Sequence, residues 1–478
     1  MSRGDGRGAL AIVLHTHMPY VEGFGTWPFG EEWLWEAIAS SYLPLLELLE
    51  RGAPLTLSLT PVLCDQLEVA DLGDRFTAFV DDVRRGTHDQ DAEGLRAAGN
   101  EQLARELDRA FGDYAWAVRK LESLGAGGLL AALADHAQWT SSATHAVLPL
   151  MASDAGVRLQ LSSGVAAHQR RCGAWRGGLW LPECAYAPWL EGELRRAGAR
   201  ATCVELSSRF GVGAPEHLCP RLGEQELVLV PIDRATISLV WSERGYPASG
   251  AYRDYHHHTV HHHNPWANDG GAYDHDAALA LAREHAADFV ARVLGRLRAA
   301  AAGERALPEG GLVVCALDTE LLGHWWYEGV AWLDAVVEQC SRQNLALVRL
   351  DDALAHAEPL PLDDAQPAWP SSWGTGGDLS TWSGPAVAEL AFATRAAELS
   401  LFAAPARASA AAARQLLALQ ASDWAFMVSR GLAEPYARER FDGHRQALTQ
   451  ALGEGAGAAG EGLRNLAVDA ELAYALAP

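Results

Sequence analysis

The chain has no CxxC pair, and its seven cysteines, an odd number, are scattered without a framework. This excludes a disulfide-stapled fold and points to reduced thiols in a cytoplasm. Basic residues are also scarce. Lys and Arg total 38 against 61 Asp and Glu, a formal net charge of −23. A surface of that sign disfavours nucleic acid and anionic membrane and is compatible with a neutral polymer. Long apolar runs are missing too: Ala-rich stretches are broken by Arg, Glu and Asp, so no transmembrane span is expected. The segment Met1–Gly8 has neither the apolar core nor the cleavage site of a signal peptide. No internal repeat is visible. The expectation is a cytoplasmic chain, a monomer or weak homo-oligomer, with neither nucleic acid nor membrane as a partner.

Aromatic usage is skewed to Trp, with 17 against 11 each of Tyr and Phe. Several tryptophans stand beside Gly, His and acids rather than in apolar runs, which favours a binding cleft. Strand-like runs occur at 10–14, 55–59, 179–181, 202–206, 227–231, 312–317 and 345–350, with amphipathic helical patterns between most of them. That alternation predicts an α/β fold, a parallel sheet with helices outside, best closed as a barrel. Spacing alone does not separate seven strands from eight. Residues 65–130 are too long for a simple connection and read as a helical insertion. A Pro-rich stretch at 359–370 precedes Ala, Leu, Arg and Glu at helical spacing over 387–452, and 453–462 is Gly/Ala-rich, linker-like chain.

Two segments carry chemistry. In Gly311–Gly329 an apolar run stops at Asp318, followed by Glu320, Gly323, His324, Trp325, Trp326 and Glu328. In Gly178–Tyr186, Trp180, Leu181 and Pro182 precede Glu183. A carboxyl group at the end of a buried strand, among indoles, can stay protonated near neutral pH, and indole faces stack on pyranose rings. Together they form a glycosidase-like carboxylate pair, with Glu320 and Glu328 competing with Asp318 on residue grounds. His15 and His17, two apart at a strand end, project to one side, the spacing a metal-dependent hydrolase would also use, with His145, Asp318 and His324 as further ligands. The segment 253–266 holds six histidines in eight positions and reads as an exposed polar loop with incidental affinity for transition metals.

Five segments in order, His15–Pro19, Ala143–Leu150, Trp180–Tyr186, Asp318–Gly329 and Ser371–Trp382, resemble glycoside hydrolase family 57, specifically its 1,4-α-glucan branching enzymes, and Ser422–Trp424 extends the likeness. The resemblance implies a distorted seven-stranded (β/α) barrel over 1–358, with the helical insertion at about 65–130 and a lid-like loop at about 246–270. An α-helical C-terminal domain over 359–478 would contribute aromatic residues to the cleft. It implies a retaining transglycosylase that cleaves α-1,4 linkages in an α-1,4-glucan and transfers the chain to a 6-hydroxyl. An α-amylase or 4-α-glucanotransferase would use the same pair, and the metal-dependent hydrolase is the rival from another class. By the same resemblance Glu183 is the nucleophile, Asp318 the acid/base, and no metal or cofactor is needed. His15, His17 and His145 would hydrogen-bond sugar hydroxyls, as would Arg253 and Asp423. Trp180, His324, Trp325 and Trp326 would line the cleft, Trp373 and Trp382 would stack on sugar at its rim, and Tyr246, Tyr252 and Tyr255 belong to the loop that selects transfer over hydrolysis. After Tyr255 the chain departs from the family's pattern.

Overall fold

Residues 10–14 are completely buried, as befits a strand covered on both faces. The computed structural model describes residues 8–25, 30–302, 310–362, 370–403 and 409–454, with 463, 466 and 467. The strands are β1 (Ala9–Thr16), β2 (Thr56–Leu59), β3 (Ala137–Ser141), β4 (Gly178–Trp180), β5 (Ala201–Val204), β6 (Arg221–Leu222), β7 (Val228–Pro231), β8 (Leu312–Asp318), β9 (Ala346–Leu347) and β10 (Leu360–Pro361). Their order is β10-β6-β7-β5-β4-β3-β2-β1-β8, with β9 beside β1. Among the strand pairs of the described residues only β6–β7 is antiparallel.

The sheet curls until its ends meet. Just beyond β7, Asp233 donates its backbone N–H to the Val314 carbonyl of β8 at 2.8 Å. The ring β1, β2, β3, β4, β5, β7 and β8 is thus a distorted seven-stranded barrel whose seam rests on that bond. Parallel register sets the carboxyl ends on one rim, with His15 level with both Ser58 and Asp318, and Ser141 level with Trp180.

β3 escapes an apolar-run search because it reads Ala-Gln-Trp-Thr-Ser. Its polar groups are matched instead: the Gln138 side chain accepts from Leu57 N–H at 3.0 Å, and Trp139 Nε1 donates to Asp351 at 2.8 Å. The expected strand at 345–350 shrinks to β9, because a helix begins at Leu350.

Between β2 and β3 run helices, the longest being α1 (Arg85–Ala97) and α2 (Glu101–Leu124), which pack on each other. α3 (His275–Ala301) and α4 (Gly329–Arg342) flank β8. Beyond residue 409, α5 (Ala410–Leu419), α6 (Ser422–Arg430) and α7 (Glu434–Glu454) bury Leu416, Leu417 and Trp424 in a core shared with Tyr20, Val62 and Leu159 of the barrel part. Backbone bridges Ala146–Ala421 and Tyr186–Ser371 pin this part to the rim. Of the Pro-rich stretch at 359–370, residues 363–369 lie outside the described residues, as do 455–462 of the Gly/Ala-rich stretch at 453–462.

The 319–328 loop is clamped on a π-helical turn, Ile38–Tyr42. Ser41 Oγ donates to the Leu322 carbonyl at 2.7 Å, and a Cβ on Gly323, at φ 101°, would stand 1.9 Å from the Ser40 carbonyl oxygen. Backbone must move to admit even a methyl group there. Gly323→Ala is therefore expected to destabilise the protein by more than about 2 kcal/mol, read as a lowered denaturation midpoint.

Candidate active site

The chain turns sharply after β4. Glu183 (φ 62°) and Cys184 (φ 49°) are consecutive left-handed residues without being glycine, a conformation worth about 1–2 kcal/mol of strain each. Pro182 sets the approach, and short-range bonds close the turn, Cys184 N–H to the Leu181 carbonyl (2.9 Å) and Ala185 N–H to that of Pro182 (3.0 Å). The result aims the Glu183 carboxylate across the rim. Its two oxygens are held by the C-terminal part: Trp373 Nε1 donates to Oε2 at 2.8 Å and Ser422 Oγ to Oε1 at 3.0 Å. Trp373 N–H also donates to the Glu183 carbonyl at 3.0 Å.

Asp318 ends β8 on the same rim. Burial first, then the field of Glu183, followed by those of Glu320 and Asp423, pushes its carboxyl well above the usual range. Burial also raises Glu183, to about 7, against the pull of its two donors. Two interacting carboxyl groups in a desolvated site titrate as a pair and hold a shared proton near neutrality.

Three imidazoles form a row beside them. His15 stacks on Trp180 (ring centroids 4.9 Å) and His17 on His145 (4.0 Å). With Glu183 ionised, hydrogen-bond directions are forced. Ser422 donates to Glu183, so it accepts from His145 Nδ1 (2.8 Å), and His145 Nε2 then accepts from His15 Nε2 (2.9 Å). Burial and neighbouring imidazoles keep both His15 and His145 well below their ordinary pKa, hence neutral. Burial would lower His17 also, but Asp423, whose two oxygens both lie 3.1 Å from Nε2, together with Glu320 and Glu183, raises it. Glu320 accepts from His17 N–H (3.1 Å) and Tyr42 OH (2.7 Å), so it faces His17 as a buried support.

The ligand atoms of His17, His145 and Asp423 lie within 4.8 Å of one another, the one such set among the described residues. His17 and His145 are stacked at an interplanar angle of 19°, so their in-plane lone pairs run side by side rather than converge on an ion. His324, the other proposed ligand, sits apart, 3.5 Å from Glu36.

The structure thus brings Glu183, Asp318, His15, His17, His145, Trp180, Trp373 and Asp423 together. Trp180, expected to line the cleft, is fully buried beneath His15 and Trp373, so it supports them and offers no face to a sugar. It places others elsewhere. Tyr252 (0 % exposed) gives its hydroxyl to His285 on α3, and Trp326 (1 %) packs on Tyr252 and Trp332, leaving no face to a sugar. Trp382 (3 %) fills a small core with Val147, Ala185 and Leu379 beneath Gly374. Arg253 pairs with Glu106 of α2 and lies over the Tyr327 ring at 3.6 Å. Trp325 stays half-exposed, parallel to Tyr255 at 5.7 Å. Ser422 and Tyr42 enter the site without having been assigned to it from sequence, and Glu320, weighed there as a rival to Asp318, enters as the acceptor of His17 N–H and Tyr42 OH; the signal for Ser422 was its place beside Asp423. In the His-rich segment His256, His257 and His258 are exposed, as a polar loop should be, but His261 bonds Asp91 of α1 at 2.8 Å and His263 is buried against His88.

Comparison with known proteins points to one family. A sequence profile for glycosyl hydrolase family 57 matches residues 139–360, and one for the C-terminal region of 1,4-alpha-glucan branching enzymes matches 387–465. The chain is 32% identical to a probable 1,4-alpha-glucan branching enzyme of Mycobacterium tuberculosis, covering 93% of this chain and 92% of that protein. It is 30% identical to a 1,4-alpha-glucan branching enzyme of Thermococcus kodakarensis, over 91% of this chain and 72% of the relative. The crystal structure of the GH57-type branching enzyme from Pyrococcus horikoshii superposes with a TM-score of 0.86 at 28% identity, covering 98% of this chain and 97% of that one.

The donors on Glu183 favour its charged form, so removing one raises its pKa. Trp373→Phe is expected to move the acidic limb of the kcat/KM profile upward by about half to one pH unit. A limb that stays put would detach Trp373 from the ionisation of Glu183.

Proposed function

The chain belongs to glycosyl hydrolase family 57, and we propose that it is a 1,4-α-glucan branching enzyme acting by double displacement at Glu183 and Asp318. The observation that carries the reading is the mutual hold of the two parts. Glu183, on the barrel rim facing Asp318, is gripped by Trp373 and by Ser422, which lies within the region that matches branching-enzyme C-termini.

In this reading residues 1–358 form the catalytic part and 359–478 the helical part. Ionised Glu183 attacks the anomeric carbon of an α-1,4 linkage while Asp318, protonated in its desolvated setting, gives its proton to the departing glycosidic oxygen. The glycosyl unit is left as an ester on Glu183. Asp318, now a carboxylate, takes the proton from the 6-hydroxyl of an acceptor chain, whose oxygen attacks the same carbon and forms the α-1,6 branch as the ester breaks. The charge logic fits: a shared proton at rest sits on the group that must donate it. The charge of His17, whose pKa the neighbouring Asp423 and Glu320 raise, favours an ionised Glu183 nearby. Transfer wins over hydrolysis when water is kept from the ester and the acceptor is held. We assign that task to the loop at 246–270 and the indole of Trp373.

Amylose incubated with the protein should yield a product that a debranching enzyme shortens. Glu183→Gln keeps the shape but not the charge, so turnover should fall by several orders of magnitude with the fold intact; survival of about a tenth of the activity would remove Glu183 from the nucleophile's role. Asp318→Ala should cripple turnover of natural glucans yet spare substrates with good leaving groups, and added azide should then restore deglycosylation. Failure on activated substrates as well would shift the acid role to Glu320.

A further inference from the structure

A cavity of about 430 Å³ lies among α2, the helix Leu43–Glu50, the start of α4 and the His-rich segment. Neither Glu183, Asp318, the imidazole row nor Trp373 lines it, so it is distinct from the site above. Its size is that of a ligand pocket rather than a packing flaw.

The chemistry of the wall is selective. Three arginines are outnumbered by six carboxylates. The histidines do not redress the balance. Burial, then Arg84, lowers His88 to about 3, and burial first also lowers His262, His263, His275 and His324. An excess of negative charge rejects phosphates, nucleotides and other anions. A cationic ligand would have to compete with Arg84 and Arg253, which already occupy Glu32, Glu36 and Glu106. What remains is a neutral ligand rich in hydroxyls. Five aromatic side chains share the wall, and Tyr255 and Trp325, 38% and 40% exposed, lie parallel to within 3° as a ready stacking surface. Buried N–H donors without an acceptor, Arg84 Nε and Arg253 Nε, belong to the same wall. Aromatic faces beside carboxylates and guanidinium groups are what a pyranose needs, its C–H face on a ring and its hydroxyls on charged acceptors and donors.

We propose that this cavity is a second α-glucan-binding site, which holds glucosyl units of a long chain away from the point of cleavage. The proposal rests on the α-glucan reading of the catalytic site. A second point of attachment raises the local concentration of polymer at the rim, so it acts on long chains and not on short ones.

Filling the cavity tests this. Ala110 on α2 and Ala331 on α4 lie on different walls, so Ala110→Trp and Ala331→Trp block it independently. The wild type should be retarded in a native gel containing amylopectin. Each folded variant should need at least about fivefold more amylopectin for the same retardation, while kcat/KM for α-maltosyl fluoride, a short substrate of the cleft, stays within about twofold. As a measurement independent of the blocks, maltoheptaose added to Glu183→Gln should protect backbone amides of 106–116 on α2, which line the cavity and are no part of the loop over the cleft, from hydrogen exchange. Unchanged retardation in a folded variant, absent protection, or a wild type that turns over α-maltosyl fluoride without being retarded would each overturn the second site. A wild type that neither turns over α-maltosyl fluoride nor is retarded would overturn the α-glucan reading itself.

Discussion

The rim that carries Glu183 and Asp318 depends on the grip of Trp373 and Ser422 on the two oxygens of Glu183. Glu183 and the next residue sit in a left-handed conformation that only a surrounding structure can enforce. Local bonds close the turn, but the side chain is fixed from more than 180 residues away, by a Gly-rich loop and the start of α6. Ser422 also orients His145, and Asp423, the next residue, takes both of its oxygens to His17. Two consecutive residues at one helix start therefore set the ionisation of Glu183 and the imidazole row.

That arrangement concentrates acids where water is scarce. Glu183 and Glu320 are both raised to about 7, mainly by burial, and Asp318 lies well above its ordinary range. An acid whose pKa is higher folded than unfolded contributes stability below its unfolded value and loses it as pH climbs toward the folded value. For Glu183 and Glu320 that window runs from near 4.5 to about 7, a loss of roughly 3 kcal/mol each. The site is thus a sink of stability at working pH. The buried barrel strands and the shared core with α5–α7 offset it. His17 is the one member of the imidazole row whose pKa is raised, and its partners Asp423 and Glu320 come from α6 and from the turn after β8.

The same long-range pairing governs the other face. Arg253 pairs with Glu106 on α2 and lies over Tyr273 and Tyr327, while Asp91 on α1 takes Thr259 and His261 of the His-rich segment. The segment that reads as a free polar loop is half docked, because buried His88 and Asp91 supply partners that no local pattern announces. Its docked half walls the second cavity.

The barrel strands were legible where they are apolar on both faces, since parallel strands under helices must bury both sides; β3 was not, because long-range hydrogen bonds satisfy its polar residues. Glu183 and Asp318 were legible as acids at strand ends beside indoles, a conjunction that desolvated chemistry requires and packing does not. The fate of the tryptophans was not. Trp325 is half-exposed and Trp326, its neighbour, is buried on Trp332, and nothing in a run of two indoles says which face meets the core. Residue order thus determined which elements form and which acids sit at their ends, because those follow from spacing and polarity along the chain. Only the tertiary structure decided the partners: Ser422 for Glu183, Asp423 for His17, Glu106 for Arg253. Hydrogen bonds and ion pairs are made over about 3 Å, and only folding brings groups hundreds of residues apart within that reach.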